Sequence, residues 1–173
     1  EMLKGNYYGL SDGLLMSSSE KKALLNDGLL PENIKKFKGS DELIKGKFRY
    51  CLWFPDILSY NQYIKNEAIT KRIESVKEKR LASPDPMAIK MAETPHQFRE
   101  MRICNKHSIV TPVVSSENRE YLPVSLESND VVFSNAAFAM YDAPLWSMSL
   151  IASRMHIAWI RTVCGQLETR LRY

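Results

Sequence analysis

The 173 residues are 45% hydrophobic and 25% charged, with a formal net charge of +4. This length and composition exclude a disordered or fibrous chain and fit one domain with a real core, and the mildly basic charge is compatible with a nucleic-acid partner. Three widely spaced cysteines do not form a disulfide framework, so we expect a reducing, cytoplasmic location. Position 1 is not methionine and the last residues resemble a strand, so we expect residues 1–173 to be one domain excised from a longer polypeptide.

The first half of the chain is predicted to be mainly helical. A short strand at residues 14–16 precedes a helix over residues 17–25, for which Ser17 to Ser19 offer an N-cap and Glu20 a first-turn carboxylate. A further short helix is expected over residues 40–46, where serine and glutamate open the segment and glycine closes it.

An aromatic-rich strand and a long helix follow. Residues 48–54 predict a strand that Pro55 stops. Residues 63–81 predict a helix on which Ile69, Ile73, Val76 and Arg80 form one stripe. Six basic and three acidic residues lie between positions 65 and 80. This mixed run is either a solvated helix face or a track for the DNA backbone, whose candidates are Arg72, Lys77, Lys79 and Arg80.

The middle of the chain is predicted to be rich in short strands. After a possible helix at residues 86–93, strand-like runs occur at residues 108–114, 124–126, 130–133 and 137–141. Cys104 and His107 have a spacing that some metal pairs use, but no second pair accompanies them, so we predict no metal site. The predicted fold class is α+β: a helical first half, a β-rich middle and a long buried C-terminal helix.

That C-terminal helix is expected within residues 142–165, with Pro144 at its first position and Gly165 as its cap, over about five turns. Arg154 and Arg161 lie seven residues apart on one narrow polar stripe. They are either solvated side chains or a pair that binds phosphate or carboxylate groups. The rest of the helix is apolar, and its predicted buried face comprises Met148, Ile151, Ala152, Met155, Trp159, Thr162 and Val163.

No self-contained active site is evident. The sequence has no glycine-rich phosphate loop, no nucleophile elbow, no H-E-x-x-H motif and no adenine methyltransferase motif. Asp12 with Glu20-Lys21-Lys22 fits a nuclease pattern only loosely, and Glu20 is better explained by its place in the first turn of a helix. The sequence therefore indicates a binding module with no catalytic residue of its own.

The strongest candidate for binding is the segment Ser115 to Tyr121, hereafter the polar turn. It combines hydroxyls, a carboxylate, an amide and an arginine, each of which can hydrogen-bond to a base edge. Arginine can bind guanine, glutamate can bind cytosine, and asparagine can bind adenine. The same residues could instead merely satisfy a turn, with Glu117 paired to Arg119. Composition alone leaves both readings open.

Three blocks of the sequence resemble one known family. Residues 39–53 match G-S-x-E-F/L-I-x-G-x-x-R-W/Y-C-L-W, residues 115–123 match S-S-E-x-R-x-Y-[LI]-P, and residues 153–173 contain S-R-M-H-x-A-W-x-R-x-V-x-G and a closing Arg172-Tyr173. On these residues the chain resembles the target-recognition domain of MmeI-like (Type IIL) restriction–modification enzymes. One departure is Gly165-Gln166-Leu167, where Gly-Arg-Leu is commoner in the family and supplies a positive charge.

The resemblance implies a function and a set of partners. The domain would read a short asymmetric double-stranded DNA site in the major groove. It would present an adenine to a separate methyltransferase domain that uses S-adenosylmethionine, and direct a separate nuclease domain that uses a divalent metal. It also implies that Glu117 and Arg119 determine specificity, with Ser115 and Ser116 as positioning residues. The candidate DNA-contacting residues are Ser115, Ser116, Glu117, Asn118, Arg119, Tyr121, Arg72, Lys77, Lys79, Arg80, Arg154 and Arg161.

Two other classes of function stay open at this stage. The chain could be a scaffold or protein-interaction domain of a multidomain enzyme that touches no DNA, its exposed helix faces being docking surfaces. It could also be a small hydrolase or nuclease with a dispersed site. We expect no cofactor within the chain itself and no membrane association.

Overall fold

A computed structural model of the chain describes residues 1–172. Tyr173, which ends the predicted last strand and the third family block, lies outside the described residues. The chain forms two compact units. We call Asn6–Phe37 with Arg49–Met101 the helical unit, and Glu1–Gly5 with Lys38–Phe48 and the chain from Arg102 on the strand-rich unit. The predicted α+β class is confirmed, because helices and strands both contribute throughout.

The elements are numbered in chain order. The strands are β1 (Leu3–Lys4), β2 (Leu15–Met16), β3 (Ile34–Lys38), β4 (Arg49–Leu52), β5 (His107–Pro112), β6 (Val114–Ser115), β7 (Ser125–Ser128), β8 (Val131–Phe133), β9 (Ala137–Tyr141), β10 (Gln166–Leu167) and β11 (Arg170–Arg172). The helices are α1 (Ser18–Asn26), α2 (Ser40–Lys45), α3 (Ile57–Asn61), α4 (Glu67–Leu81), α5 (Pro86–Met91), α6 (Trp146–Ile151) and α7 (Arg154–Val163). No helix within residues 1–172 has the length and apolar character needed to cross a membrane.

Local capping explains where the helices of the first half begin and end. Ser17 and Glu20 form a capping box at the start of α1, in which the Ser17 N–H donates to Glu20 Oε2 at 2.7 Å and the Glu20 N–H donates to Ser17 Oγ at 3.3 Å. α2 ends at Gly46, whose φ of 64° is the left-handed conformation that glycine adopts without steric cost. Both predicted helices are confirmed.

The helical unit is organised around α4. Ile69, Ile73 and Val76 are buried, as the periodicity predicted, and Arg80 at the end of the same stripe is buried as well. The helix begins at Glu67, later than predicted, because the Asn66 side chain caps it by accepting a hydrogen bond from the Ile69 N–H at 3.0 Å.

A small antiparallel sheet completes the helical unit. β4 pairs with β2 on one side and with β3 on the other, in a register from Ile34↔Leu52 to Phe37↔Arg49. The sequence analysis did not identify β3. Only two apolar side chains, Ile34 and Phe37, interrupt its lysines, so its sequence does not alternate as an amphipathic strand does.

The strand-rich unit contains two antiparallel sheets, and the predicted β-rich middle of the chain is confirmed. One sheet has the order β1-β9-β5-β7 and the other the order β10-β11-β6. Pro112 lies at the last position of the interior strand β5, where its missing N–H interrupts the fewest ladder bonds. One hydrophobic cluster of this unit joins the sheets to α6 and α7, and its buried members are Ile109, Leu122, Ile151, Ile157, Ile160 and Leu171.

The prediction of one long C-terminal helix is wrong. The segment forms α6 and α7, which are separated at Ala152 and Ser153. Ser153 has an extended backbone (ψ 152°), and its hydroxyl donates to the Leu150 carbonyl at 2.7 Å and accepts from the His156 N–H at 3.1 Å. It therefore serves as the N-cap of α7, and an N-cap residue leaves helical dihedral angles.

The predicted buried face of this segment is also wrong in most of its members. Met155 is 83% exposed and Trp159 63% exposed, whereas Ile157 and Ile160, which are not members of the predicted face, are buried. The projection assumed an unbroken helix, so the interruption at Ser153 changed the direction of every side chain that follows. The true core positions of α7 are the two isoleucines.

Candidate nucleic-acid interface

The polar turn is a hydrogen-bonded β-turn between β6 and β7. The Arg119 N–H donates to the Ser116 carbonyl at 3.3 Å, and the Asn118 N–H donates to the Ser116 hydroxyl at 3.3 Å. Serine at this position supplies an acceptor that stabilises the turn locally. Ser116 therefore has a structural role here, which is one of the two readings that its composition allowed.

Both ends of the polar turn are fixed to the strand-rich unit. Ser115, in β6, pairs with Leu171 of β11 and is buried. Leu122, just after the turn, is 3% exposed and packs in the cluster that contains Ile157 and Ile160 of α7. The residues between these two points thus lie on a short, well-supported segment. Sequence reasoning missed both Leu122 and the pairing with Leu171, because each depends on a partner distant along the chain.

Two arginines of α7 contact the turn. Arg161 Nη2 donates to the Glu117 carbonyl at 3.0 Å and to the Arg119 carbonyl at 2.7 Å. Arg154 Nε lies 3.3 Å from Glu120 Oε1 in an exposed ion pair. Their shared stripe was correctly recognised, and the structure shows that both engage groups of this chain. Glu120 was not among the residues that the sequence singled out.

The side chains of Glu117 and Arg119 are partly exposed and do not pair with each other. Within residues 1–172, the Glu117 carboxylate does not contact the Arg119 guanidinium, and neither side chain forms an ion pair with another residue. Arg119 Nε and Ser115 Oγ are shielded from solvent and make no hydrogen bond within this part of the chain. Asn118 and Tyr121 are exposed. The turn therefore carries a donor-rich and an acceptor-rich side chain, two positions apart in sequence, that the described residues leave without ionic partners.

The basic residues predicted on α4 fall into two groups. Lys77 is exposed, and Lys79 is exposed with its Nζ 3.3 Å from Asp12 Oδ2. Arg72 donates to the Gly13 and Leu15 carbonyls at 3.3 and 3.1 Å and contacts Glu20. The Ser17 N–H and hydroxyl, followed by Arg72, lower the pKa of Glu20 to about 2.

Arg80 is not available for a DNA phosphate, which corrects the prediction from its charge. It is 1% exposed and donates to the carbonyls of Met91, Thr94 and Gln97 and to the Ser11 hydroxyl, at 2.7–3.0 Å. Burial lowers its pKa to about 10, so the guanidinium is still charged at neutral pH. Its position on the apolar stripe was the signal that should have outweighed its charge.

No cluster of three or more histidine, cysteine or acidic side chains with metal-binding geometry occurs within residues 1–172. Glu20, a carboxylate of the loose nuclease pattern, is hydrogen-bonded to Ser17 and paired with Arg72. Cys104 is buried, and the three cysteines are free.

Comparisons with known proteins identify the family of the chain. The whole chain, residues 1–173, matches the family model described as MmeI, target recognition domain. DNA methyltransferase A of Bacillus subtilis (strain 168) is 39% identical over 172 residues, which is 98% of this chain and 19% of that protein. A solved structure of the Type IIL restriction–modification enzyme MmeI in complex with DNA matches with a TM-score of 0.90 at 30% identity, over 100% of this chain and 23% of that one. The chain thus spans about a fifth of the length of these relatives, and it belongs to the family of MmeI target recognition domains.

Proposed function

We propose that this domain recognises a short double-stranded DNA sequence and that Glu117 and Arg119 read base edges in the major groove. The observation that supports this most directly is the polar turn, where these two side chains lie on a braced backbone without ionic partners of their own. Arginine is suited to the O6 and N7 acceptors of guanine, and glutamate to the N4 donor of cytosine. The likeness to MmeI in complex with DNA supports the same reading.

The recognition would serve two separate activities of a longer polypeptide. In this proposal a methyltransferase domain that uses S-adenosylmethionine modifies an adenine of the recognised site, and a nuclease domain that uses a divalent metal cleaves DNA under the same direction. Two observations support this proposal. The relatives are a DNA methyltransferase and a restriction–modification enzyme, and this chain covers only a small share of each. The domain itself binds and does not catalyse. We place its work in the cytoplasm, with which three free cysteines are consistent.

Phosphate contacts are proposed for Lys77 and Lys79, which remain exposed on α4. Such contacts fix the register of a protein on DNA without reading sequence. We exclude Arg80 from this role, and Arg72 is a poor candidate because its guanidinium already serves two carbonyls and a carboxylate. Lys77→Ala should weaken binding to all duplexes alike and reduce the slope of log affinity against log salt by about one.

The test of base reading is binding of the chain to a random duplex pool, measured by fluorescence anisotropy at several salt concentrations and followed by selection of the preferred site. Arg119→Ala should relax the preference at one base pair and cost about 1–3 kcal/mol there. Arg170→Ala is the matched control, because Arg170 is an exposed arginine of the same unit that pairs with Glu168. An equal loss of affinity by Arg119→Ala on every sequence would contradict the assignment.

A protein-interaction role is the alternative, and one observation favours it. α6 and α7 expose large apolar side chains, among them Trp146 at 65%, Met155 at 83% and Trp159 at 63%. Exposed apolar clusters mark contact surfaces. This alternative predicts that the chain and its longer parent polypeptide both fail to bind DNA at low salt. DNA binding by the chain or by its parent, with a log affinity that falls linearly with log salt concentration, would contradict the idea of a domain that touches no DNA.

A further inference from the structure

We propose that Arg161 is a positioning residue that holds the backbone of the polar turn in its reading conformation and does not itself contact DNA. The inference rests on the proposed function, in which Glu117 and Arg119 read bases. A single nitrogen, Arg161 Nη2, donates to the carbonyls of both residues, at 3.0 and 2.7 Å. These are the carbonyls on either side of Asn118, so one charged donor connects both halves of the turn.

The turn needs this support because its own hydrogen bonds are long. The two bonds within it, from the Arg119 and Asn118 N–H groups to Ser116, both measure 3.3 Å. Residues 116–121 lie outside the strands, so no sheet ladder orders their carbonyls. A hydrogen bond from a charged donor is about twice as strong as one between neutral groups. The guanidinium therefore contributes the strongest bonds that this backbone makes.

The base of the Arg161 side chain is itself rigid. Arg161 belongs to α7, and the preceding residue Ile160 is 1% exposed, in the same cluster as Leu122 at the end of the turn. The helix and the turn thus share one packed core and one pair of hydrogen bonds. Because a side chain that reads bases depends on the position of its own backbone, fixing these carbonyls fixes where Glu117 and Arg119 point.

Arg154, the other arginine of the stripe, does not have this role. It contacts a side chain, Glu120, and both partners are mostly exposed, at 72% and 60%. Exposed pairs of this kind contribute little to stability and are easily exchanged for solvent or phosphate. The two arginines are therefore distinguishable: Arg161 engages the backbone of the reading residues, and Arg154 engages a neighbouring side chain.

The experiment compares Arg161→Ala, Arg161→Lys and the control Arg170→Ala, each also combined with Arg119→Ala. The readout is the ratio of affinity for the selected duplex to affinity for the duplex altered at the base pair that Arg119 reads. We expect Arg161→Ala to reduce this ratio about tenfold, equivalent to about 1.4 kcal/mol, with the salt slope unchanged. The reduction should disappear in the Arg119→Ala background, since the two residues act through one contact. Lysine should restore part of the ratio, because its ammonium can donate to a carbonyl.

Hydrogen exchange of the DNA-free chain gives a second readout that does not depend on DNA recognition. The amides of residues 116–121 should exchange faster in Arg161→Ala than in Arg170→Ala, with thermal melting confirming that both variants fold. Unchanged exchange in the turn would overturn the positioning role, whatever the DNA result. A salt slope reduced by about one, with equal loss on all duplexes, would overturn it in favour of a phosphate contact. Faster exchange in Arg161→Ala would support the positioning role of Arg161. If the unaltered chain then showed no sequence preference for DNA, the proposed function would be overturned instead.

Discussion

Arg80 is the residue at which charge and burial conflict most, so replacing it tests the structure directly. Its guanidinium donates four hydrogen bonds, to three carbonyls and the Ser11 hydroxyl. Bonds to a charged group contribute about 1.5–3 kcal/mol each, so four at the lower end contribute about 6 kcal/mol. Burial lowers the pKa from its usual value to about 10, and at about 1.4 kcal/mol per pKa unit this desolvation offsets about 3 kcal/mol. The net stabilisation is about 3 kcal/mol.

We therefore expect Arg80→Met, which keeps most of the side-chain volume, to lower the free energy of unfolding by about 3 kcal/mol. The measurement is urea denaturation followed by circular dichroism, with Lys71→Met as control. Lys71 lies on the same helix but forms an exposed pair with Glu67, so its loss should cost less than about 0.5 kcal/mol. Equal stability of the two variants would show that the buried network is not as described. The salt slope of DNA binding by folded Arg80→Met should match that of the unaltered chain, and a slope reduced by about one would restore Arg80 as a phosphate contact.

Four further substitutions test other features. Gly46→Ala should cost about 1 kcal/mol in a thermal melt, because φ is 64° at this helix end; an unchanged melting temperature would argue against that conformation. Ser153→Ala should cost about 1 kcal/mol by removing the cap of α7, and a gain in stability would instead favour one continuous helix. Asp142 accepts the N–H groups of residues 105–107, which lower its pKa from 3.8 to about 2. Its stabilisation is therefore complete above pH 3.8 and is lost as the pH falls toward 2, so Asp142→Asn should flatten acid unfolding in that window; an identical acid profile would contradict this. Gln166→Arg, on the exposed strand β10, should steepen the salt slope of DNA binding by about one, and no change would place this position away from phosphate.

Features set by neighbouring residues were predictable. The capping box of Ser17 and Glu20, the glycine at the end of α2 and the buried stripe of α4 each depend on residues within a few positions of one another. Strand β3 was missed because its lysine-rich sequence lacks the alternation that identifies a strand, and it exists because β4 pairs with it. Pairing partners so far along the chain leave no local signal.

The polar turn was identified from its sequence, but its contacts were not. The residue types and the resemblance located residues 115–121, and whether Glu117 and Arg119 read bases remains a prediction. That Arg161 binds two backbone carbonyls, more than forty residues away along the chain, could not be inferred from helical spacing. The seven-residue spacing predicted that Arg154 and Arg161 share one stripe of the helix, but it did not predict which groups each arginine contacts.

The sequence by itself determined the family, the α+β class and most short elements, because motifs, caps and periodicities are local patterns. Only the tertiary structure decided what each arginine does. A guanidinium has the same charge whether it faces solvent, phosphate or carbonyl oxygens, and its long side chain can reach any of them. Arg80 became a buried structural cation and Arg161 a support for the polar turn because the folded chain brought unsatisfied carbonyls within 3 Å of each.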